Sequence, residues 1–245
     1  MIKEALITLA YALFPKRCGL CGEVILLDKK LCDECDNRKR ISGELCKKCG
    51  APKSECKCLP NERTPEFKAV IAPYYYEGSV AAGVNRFKDS GYSELADEMA
   101  ECIFEHISEY YKDIHFDFIT YVPITKKKEN KRGYNQARLL AEGISKRMNV
   151  ECAELVLKIK ATPQQKKSSA KQRRINLRGS FDLNESASVI GKTVLIIDDI
   201  KTTGSTLNEC AYVLNAYGAE AVYAAAFCMT KKKDENERKP QLFSK

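Results

Sequence analysis

The stretch Val194-Leu-Ile-Ile-Asp-Asp-Ile-Lys-Thr-Thr-Gly-Ser-Thr206 decides the fold of this 245-residue chain. Four consecutive apolar residues at 194–197 predict a strand that is buried on both faces. The carboxylates of Asp198 and Asp199 follow where that strand should end. A turn of small and hydroxyl side chains comes next, and an apolar helical pattern begins at Leu207. A buried strand that enters a helix through such a turn is typical of an α/β protein with a parallel sheet.

The same stretch predicts a binding site for an anion. The first backbone N–H groups of a helix lack helical partners, and the helix dipole is positive at that end. A phosphate in the turn would therefore be stabilised, and the residues expected to hold it are Thr202, Thr203, Gly204, Ser205 and Thr206. The adjacent carboxylates suit vicinal hydroxyls or a sugar bound with Mg²⁺. Each half alone is common in doubly wound proteins, but the whole run predicts a site for a phosphorylated ribose.

Further motifs extend this pattern along the chain. They are Phe87-Lys88, Val122-Pro123, Arg132-Gly-Tyr-Asn-Gln136 and Arg173-Arg174-Ile-Asn176. With the Asp-Asp-x-x-Thr-Thr-Gly run, their order resembles the ComF family of competence proteins. That family is similar to type I phosphoribosyltransferases and has an N-terminal zinc-binding region. The resemblance covers roughly residues 14–229. The chain departs from the family pattern at Lys201, where we expect an apolar or aromatic residue.

The resemblance implies a site for 5-phosphoribosyl diphosphate (PRPP). Asp198 and Asp199 would bind the ribose 2′ and 3′ hydroxyls, and the turn 202–206 would hold the 5′-phosphate. The turn after Val122 and Pro123 would present backbone N–H groups to the pyrophosphate. Mg²⁺ would bridge the pyrophosphate and the ribose hydroxyls. Ligands of parallel sheets bind at the carboxyl ends of the strands, where these segments should meet.

The resemblance also leaves two classes of function open. In an active phosphoribosyltransferase, Lys126, Lys128 and Arg132 would neutralise the departing pyrophosphate from a mobile basic loop. A solvated basic loop is the competing interpretation of these residues. No motif identifies an acceptor base or amine, and neither His106 nor His115 has a visible chemical partner. In the second class, the PRPP site is a binding or regulatory site in a zinc-containing adaptor that handles single-stranded DNA.

Eight of the twelve cysteines lie before residue 60, in pairs with short spacing. Cys-x-x-Cys pairs place two thiolates on one tetrahedral metal, and two pairs close a structural zinc site. The first tetrad is Cys18, Cys21, Cys32 and Cys35, and the second is Cys46, Cys49, Cys56 and Cys58. Disulfides are disfavoured in a reducing compartment, whereas pairing across the two tetrads remains open. Metal binding would supply much of the folding free energy of this segment.

The remaining cysteines are expected to be small buried hydrophobic residues. They are Cys102, Cys152, Cys210 and Cys228, and each lies within an apolar pattern.

Positive charge is concentrated in one part of the chain. The net charge is +8, but the segment 126–178 carries sixteen Lys or Arg against four Glu, a net charge of +12. Such a block predicts a surface that faces nucleic acid or pyrophosphate. The ComF resemblance implies a role in the uptake of single-stranded DNA, with a DNA-uptake helicase as a partner. Tyr134 is a candidate for base stacking or for simple packing.

We expect three regions in the chain. Residues 1–60 would form an N-terminal helix and a double zinc-ribbon-like module, 61–230 a phosphoribosyltransferase-like domain, and 231–245 a charged, disordered tail. Since no stretch is long enough to span a bilayer and no signal-peptide cleavage site is visible, we expect a cytoplasmic protein.

Strands and helices should alternate in the second region, which predicts a mainly parallel sheet covered on both faces. The expected strands are 69–76, 116–122, 151–159, the signature strand from 194 and 221–228. The expected helices are 78–88, 93–111, 135–148 and the helix after the signature turn, and a polar loop is expected at 160–171.

Overall fold

The structure is a computed structural model that describes residues 11–29, 31–89, 92–159 and 179–232. Its strands are β1 Val70–Ile71, β2 Tyr74–Tyr75, β3 Phe118–Tyr121, β4 Glu151–Cys152, β5 Val156–Lys158, β6 Phe181–Leu183, β7 Thr193–Lys201 and β8 Ala221–Met229. Its helices are α1 Asp33–Asp36, α2 Gly78–Phe87, α3 Leu95–Tyr110, α4 Lys126–Arg132, α5 Gln136–Met148 and α6 Ser205–Ala216. The expected polar loop, the Arg173–Asn176 motif and the tail beyond residue 232 lie outside the described residues, as does the start of the expected N-terminal helix.

Six strands form one parallel sheet in the order β1-β8-β7-β3-β4, with β2 also pairing with β8. The signature strand β7 lies in its interior, between β8 and β3. All four residues from Val194 to Ile197 are 0% exposed. Because successive side chains of a strand point to opposite faces, both faces of the sheet are covered. The predicted α/β fold with a mainly parallel sheet is confirmed.

The helices cover the sheet through the apolar stripes that the sequence predicts. Helices α3 and α5 pack against each other and against the sheet, and they contribute Met99, Ile103, Leu140 and Ile144 to the core. Helix α6 contacts β7 and β8. In the parts of the chain described above, no helix combines the length and apolarity needed to cross a membrane.

Three predicted elements differ in the structure. The single strand expected at 69–76 is divided into β1 and β2, each of which pairs with β8. The basic segment expected to be a loop forms helix α4, because Thr125 Oγ1 accepts a hydrogen bond from Lys128 N at 3.4 Å and Gly133 ends the helix with φ +84°. The single strand expected at 151–159 is divided by a turn at 153–155, where Leu155 N donates to Ala153 O. Its second half, β5, pairs antiparallel with β6 outside the main sheet.

The cysteine-rich segment packs directly on the sheet domain. Arg86 of α2 donates to the Cys21 carbonyl at 3.0 Å and pairs with Glu23 at 2.6 Å. Leu20 is 0% exposed and belongs to the same hydrophobic core as the sheet. Farther along, Val70 N of β1 donates to Lys47 O at 3.2 Å. The hydrophobic core is therefore continuous across the boundary expected near residue 60.

Candidate functional site

The paired carboxylates lie near the carboxyl end of β7. Asp199 forms an ion pair with Lys88, the residue that follows α2, and the distance from Asp199 Oδ2 to Lys88 Nζ is 3.1 Å. Asp198 accepts a hydrogen bond from the backbone N–H of Asp199 at 2.8 Å. Only 16% of the Asp199 side chain and 27% of the Lys88 side chain are exposed. The site therefore contains two adjacent, largely buried carboxylates, one of which already contacts a cation.

The environment of Asp198 disfavours its negative charge. Burial raises the pKa of this carboxyl well above its usual range, and the neighbouring charge of Asp199 raises it further. The backbone N–H of Asp199 and the Lys88 ammonium group act in the opposite direction. A bound cation, or a hydroxyl that donates to these oxygens, would stabilise the ionised pair.

Basic side chains from three elements converge beside the carboxylates. Burial lowers the pKa of Lys128, and the positive charges of Arg132 and Lys88 lower it further. Lys128 and Arg132 lie on one face of α4 because they are four residues apart. Arg132 also donates to Gln136 Oε1 at 2.9 Å. Since these cations repel one another, an anion placed among them would be stabilised.

Lys158, at the end of β5, belongs to the same cluster, although it was not among the residues expected at the site. Burial lowers its pKa, as does Lys128, whereas Asp198 is among the groups that raise it. Its ammonium group lies 4.8 Å from the ring centre of Phe181 in the neighbouring strand. Strand alternation is the sequence signal that predicts the partly buried position of Lys158. This residue is two positions from Val156, which is 1% exposed, and therefore lies on the same face of the strand.

The other residues expected around the pyrophosphate lie as follows. Lys126 is exposed in the first turn of α4. Because it lies two positions before Lys128, the two side chains are on different faces of the helix. Val122 N donates to Ile197 O at 2.9 Å, which holds the end of β3 beside β7. Val122 and Pro123 are both buried. Their predicted contact with pyrophosphate, and that of Lys126, stay predictions.

The expected phosphate turn joins β7 to α6. Gly204 has φ +74°, a left-handed conformation that favours glycine, and it precedes the helix without a capping side chain. Thr203 Oγ1 lies 2.8 Å from Ser205 Oγ and accepts from Ser205 N at 3.3 Å. Thr202 and Thr203 are exposed, Thr206 is partly buried and Ser205 is buried. An uncapped helix start with exposed hydroxyls suits a phosphate group.

The eight N-terminal cysteines form the two tetrads predicted from their spacing, and neither tetrad includes a cysteine expected in the other. Within each tetrad the four Sγ atoms lie within 4.8 Å of one another. The Sγ atoms of Cys21 and Cys32 are 3.6 Å apart, and those of Cys49 and Cys56 are 3.7 Å apart. Tetrahedral zinc with Zn–S bonds of about 2.3 Å requires S···S distances of about 3.8 Å. Both tetrads therefore fit closed structural zinc sites.

Several other candidates from the sequence have structural roles. The Tyr134 hydroxyl lies 2.9 Å from the Phe87 carbonyl oxygen and 3.0 Å from that of Asp89, and its single proton is shared between them, so its packing role is the one observed. His106 is 1% exposed, and its ring packs at an angle of 49° against that of Tyr110 in α3. Of the four remaining cysteines, Cys102, Cys210 and Cys228 are buried and Cys152 is partly buried.

The sheet, the strand–turn–helix site and the paired tetrads define a phosphoribosyltransferase-like domain with a double zinc ribbon. Residues 135–245 match the family described as "Phosphoribosyl transferase domain", and residues 9–64 match "Double zinc ribbon domain". Glutamine phosphoribosylpyrophosphate amidotransferase from B. subtilis is a similar solved structure, with 16% sequence identity and a TM-score of 0.36. That similarity covers 54% of this chain and 26% of the other.

Curated relatives identify the family. The chain is 30% identical to competence protein ComFC from Bacillus subtilis (strain 168), over 79% of its own length and 81% of the relative. It is 28% identical to DNA utilization protein YhgH from Escherichia coli (strain K12), over 88% of its own length and 98% of the relative. The chain belongs to the ComF family of competence proteins, which confirms the resemblance inferred from its motifs.

Proposed function

We propose that this protein binds PRPP with Mg²⁺ at the end of β7 and acts in the handling of single-stranded DNA during uptake. The observation that carries the ligand assignment is the juxtaposition of two carboxylates with four basic side chains and a phosphate turn. The basic side chains are Lys88, Lys128, Arg132 and Lys158. PRPP combines vicinal hydroxyls, a phosphate and a pyrophosphate, and each of these groups has a counterpart in the site.

The three parts of the ligand would bind to different groups. Asp198 and Asp199 would accept hydrogen bonds from the ribose hydroxyls, and the turn 202–206 would donate N–H and O–H groups to the 5′-phosphate. The basic cluster would surround the pyrophosphate. Mg²⁺ would lie between the pyrophosphate and the ribose hydroxyls, where its charge offsets that of the ligand and the carboxylates. Oxygen ligands of this kind are those that Mg²⁺ prefers.

Two observations support the role in DNA handling. The relatives include a competence protein and a DNA utilization protein. The segment 126–178 carries a net charge of +12, which would contact a phosphate backbone. The thiolate-rich tetrads suit the reducing cytoplasm, where a DNA-uptake helicase would be the protein partner.

A second candidate function is phosphoribosyl transfer to a base or amine. The specific observation in its favour is the partly buried position of Lys128 and Lys158 beside the carboxylates. Cations in a desolvated site stabilise the charge that develops on a departing pyrophosphate. Release of pyrophosphate from PRPP in the presence of candidate bases and amines distinguishes this function from ligand binding alone.

Calorimetric titration of the full chain with PRPP and Mg²⁺ tests the ligand assignment. We expect saturable binding that requires Mg²⁺ and becomes at least about tenfold weaker in Asp199→Asn, since hydrogen bonds to charged groups contribute roughly 1.5–3 kcal/mol. Asp113→Asn is the matched control, because Asp113 is an exposed carboxylate that follows α3. Equal affinities in the parent and both variants would show that the ribose binds elsewhere.

A further inference from the structure

Gln136 is a buried polar residue at the start of α5, and both ends of its side-chain amide form hydrogen bonds. It is only 2% exposed. Its Oε1 atom accepts a hydrogen bond from Nη1 of Arg132 at 2.9 Å, and its Nε2 atom donates to the carbonyl oxygen of Phe87 at 3.2 Å. Burial of an amide is costly unless its donor and its acceptor are both satisfied. These two bonds therefore fix the orientation of the side chain.

The two bonds join segments that carry different groups of the candidate site. Arg132 is the last residue of α4 and lies on the same face of that helix as Lys128. Phe87 is the last residue of α2, and the next residue, Lys88, pairs with Asp199 at 3.1 Å. A short path of contacts therefore runs from the guanidinium group to the paired carboxylates, and it passes through one amide.

The backbone that carries this amide is held as well. Asn135 caps α5, since its Oδ1 atom accepts a hydrogen bond from Ala137 N at 3.1 Å. Its Nδ2 atom donates to the Val122 carbonyl at 3.1 Å, and the residue is 5% exposed. The start of α5 is thereby attached to the end of β3, next to the turn where pyrophosphate is expected. A side chain on such a fixed base can hold a charged group in one position.

An uncharged amide directs Arg132 without neutralising its charge. At the same spacing of four residues, Arg138 donates to the carboxylate of Glu142 at 2.7 Å, and each partner offsets the charge of the other. The amide of Gln136 carries no net charge of its own. A guanidinium group has several N–H donors, of which this bond uses one, and its planar fork suits the paired oxygens of a diphosphate.

We propose that Gln136 is a positioning residue that sets the Arg132 guanidinium group to receive the diphosphate of the ligand. Gln136 acts through Arg132 and does not touch the ligand itself. The inference rests on the proposed function in one respect, because it takes this diphosphate to be part of PRPP. Its consequence is specific: Gln136 serves the diphosphate end of the ligand, whereas the ribose and its 5′-phosphate meet other groups.

Calorimetric titration of the full chain with three probes tests this consequence. The probes are PRPP, inorganic diphosphate and ribose 5-phosphate, each with Mg²⁺. Gln136→Met keeps a side chain of similar size and removes both hydrogen bonds. We expect it to weaken the binding of PRPP and of diphosphate by about tenfold, as is common when a hydrogen bond to a charged group is lost. Binding of ribose 5-phosphate should be unchanged, whereas a variant that merely loosened the site would weaken all three.

A double-mutant cycle determines whether Gln136 acts through Arg132. Arg132→Met should weaken diphosphate binding at least as much as Gln136→Met does. Addition of Gln136→Met to Arg132→Met should then cause no further loss, because residues that act as one unit are not additive. Full additivity of the two losses would mean that Gln136 acts by another route and would overturn the inference.

Tyr134→Phe is the matched control for the stability of this region. The Tyr134 hydroxyl lies 2.9 Å from the same Phe87 carbonyl oxygen that Gln136 contacts, so its removal disturbs the end of α2 and leaves the bond to Arg132 in place. Thermal unfolding should show a loss of stability in both variants, but the diphosphate affinity of Tyr134→Phe should equal that of the parent. If both variants weaken diphosphate binding equally, the two residues act through α2 and the inference is wrong.

Failure of the proposed function has a different signature. If the parent binds diphosphate but not PRPP, and Gln136→Met weakens that binding, the assignment of PRPP is wrong and the role of Gln136 is supported. If the parent and Gln136→Met bind PRPP equally well, the assignment of PRPP is supported and the role of Gln136 is overturned.

Discussion

Single residues balance the charge around the paired carboxylates near the carboxyl end of β7. The ion pair between Lys88 and Asp199 holds one carboxylate in place, and burial makes the ionised form of Asp198 costly. Lys128 lies close enough to Lys158 to lower the pKa of the Lys158 ammonium group. A ligand that brings Mg²⁺ to the carboxylates and pyrophosphate to the lysines would relieve both the repulsion between the carboxylates and the repulsion between the lysines. Binding of the free phosphate ion alone would relieve only the repulsion between the lysines.

Gly204→Val is expected to abolish PRPP binding without unfolding the protein. A branched side chain would occupy the space where the backbone approaches phosphate, and a left-handed conformation costs a non-glycine residue about 1–2 kcal/mol. Gly191→Val is the control for that backbone cost, because Gly191 has φ +69° and nothing near its added methyl group. Thermal unfolding should report a similar loss of stability in both variants, and calorimetry should report lost binding only in Gly204→Val. Equal PRPP binding in the two variants would contradict the assignment of the turn.

The buried imidazole of His106 is expected to make the fold sensitive to acid. Burial lowers its pKa from the usual 6.5 to about 4, with a further contribution from Arg40. In the unfolded chain the imidazole of His106 therefore binds a proton below pH 6.5, whereas in the folded chain it does so only near pH 4. The folded state is consequently destabilised as the pH falls from 6.5 towards 4. The loss attributable to His106 between pH 7.5 and 5 is about 2 kcal/mol.

Denaturant unfolding of the parent and of His106→Phe, at several pH values between 7.5 and 5, measures this effect. The variant should lose less stability over the range than the parent, while losses caused by zinc release are common to both. Parallel pH profiles would mean that His106 does not contribute.

At the scale of elements, helix α2 connects the zinc module to the site. Its buried face receives Leu20 of the first cysteine pair, since a methyl group on Gly83 would lie 1.6 Å from the Leu20 carbonyl oxygen. At its other end, the Phe87 carbonyl accepts hydrogen bonds from Tyr134 and Gln136, and Lys88 reaches the carboxylates. A shift of this helix would move both the zinc module and the cation that pairs with Asp199.

Gly83→Ala is expected to destabilise the protein although alanine is the better helix former. Helix propensity alone favours alanine by roughly 0.5–1 kcal/mol, but the contact with Leu20 leaves no room for a methyl group. Overpacking of this kind typically costs about 1–3 kcal/mol. Ala82→Gly is the matched control on the exposed face of the same helix, where only propensity acts. The expected order of melting temperatures is parent, Ala82→Gly, Gly83→Ala. A stabilised Gly83→Ala would show that the zinc module does not pack closely on α2.

The sequence predicted those parts of the fold and site that depend on local pattern. The apolar run 194–197 predicted the central strand, and the cysteine spacing predicted both tetrads, because each signal lies within a few residues. The pairing of β5 with β6 was not predictable in this way, since these strands are separated by more than twenty residues of polar chain.

At the scale of the whole molecule, the zinc ribbons and the sheet domain behave as one packed unit. Residues of the first tetrad, including Cys18 and Cys35, belong to the same hydrophobic core as the sheet. The second tetrad packs against the edge of the sheet near β1. Metal bound at either tetrad would therefore stabilise more than the segment that contains it.

Removal of zinc with a strong chelator is expected to lower the melting temperature of the entire fold. Metal binding supplies folding free energy to the ribbons, and their loss would expose the faces of α2 and β1 that they cover. Circular dichroism should show one shifted transition, and added Zn²⁺ should restore it where Mg²⁺ does not. An unchanged transition of the sheet domain in zinc-free protein would mean that the two regions unfold independently.

Binding of single-stranded DNA is expected to be strongly salt dependent and to involve the exposed start of helix α4. Lys126 and Lys127 are exposed there, within the segment of net charge +12, so they can contact a phosphate backbone. Each lost phosphate contact lowers the slope of log affinity against log salt by about 0.7 for single strands, because fewer counterions are released. A variant in which both lysines are alanine should therefore show a slope shallower by about 1.4 and weaker binding at low salt. Lys112→Ala with Lys146→Ala removes the same charge from exposed positions outside α4 and should change the slope less. Fluorescence anisotropy over a salt series measures all three proteins. An unchanged slope in the α4 variant would move DNA binding to the zinc ribbons or exclude it, and would strengthen the case that the basic cluster serves pyrophosphate alone.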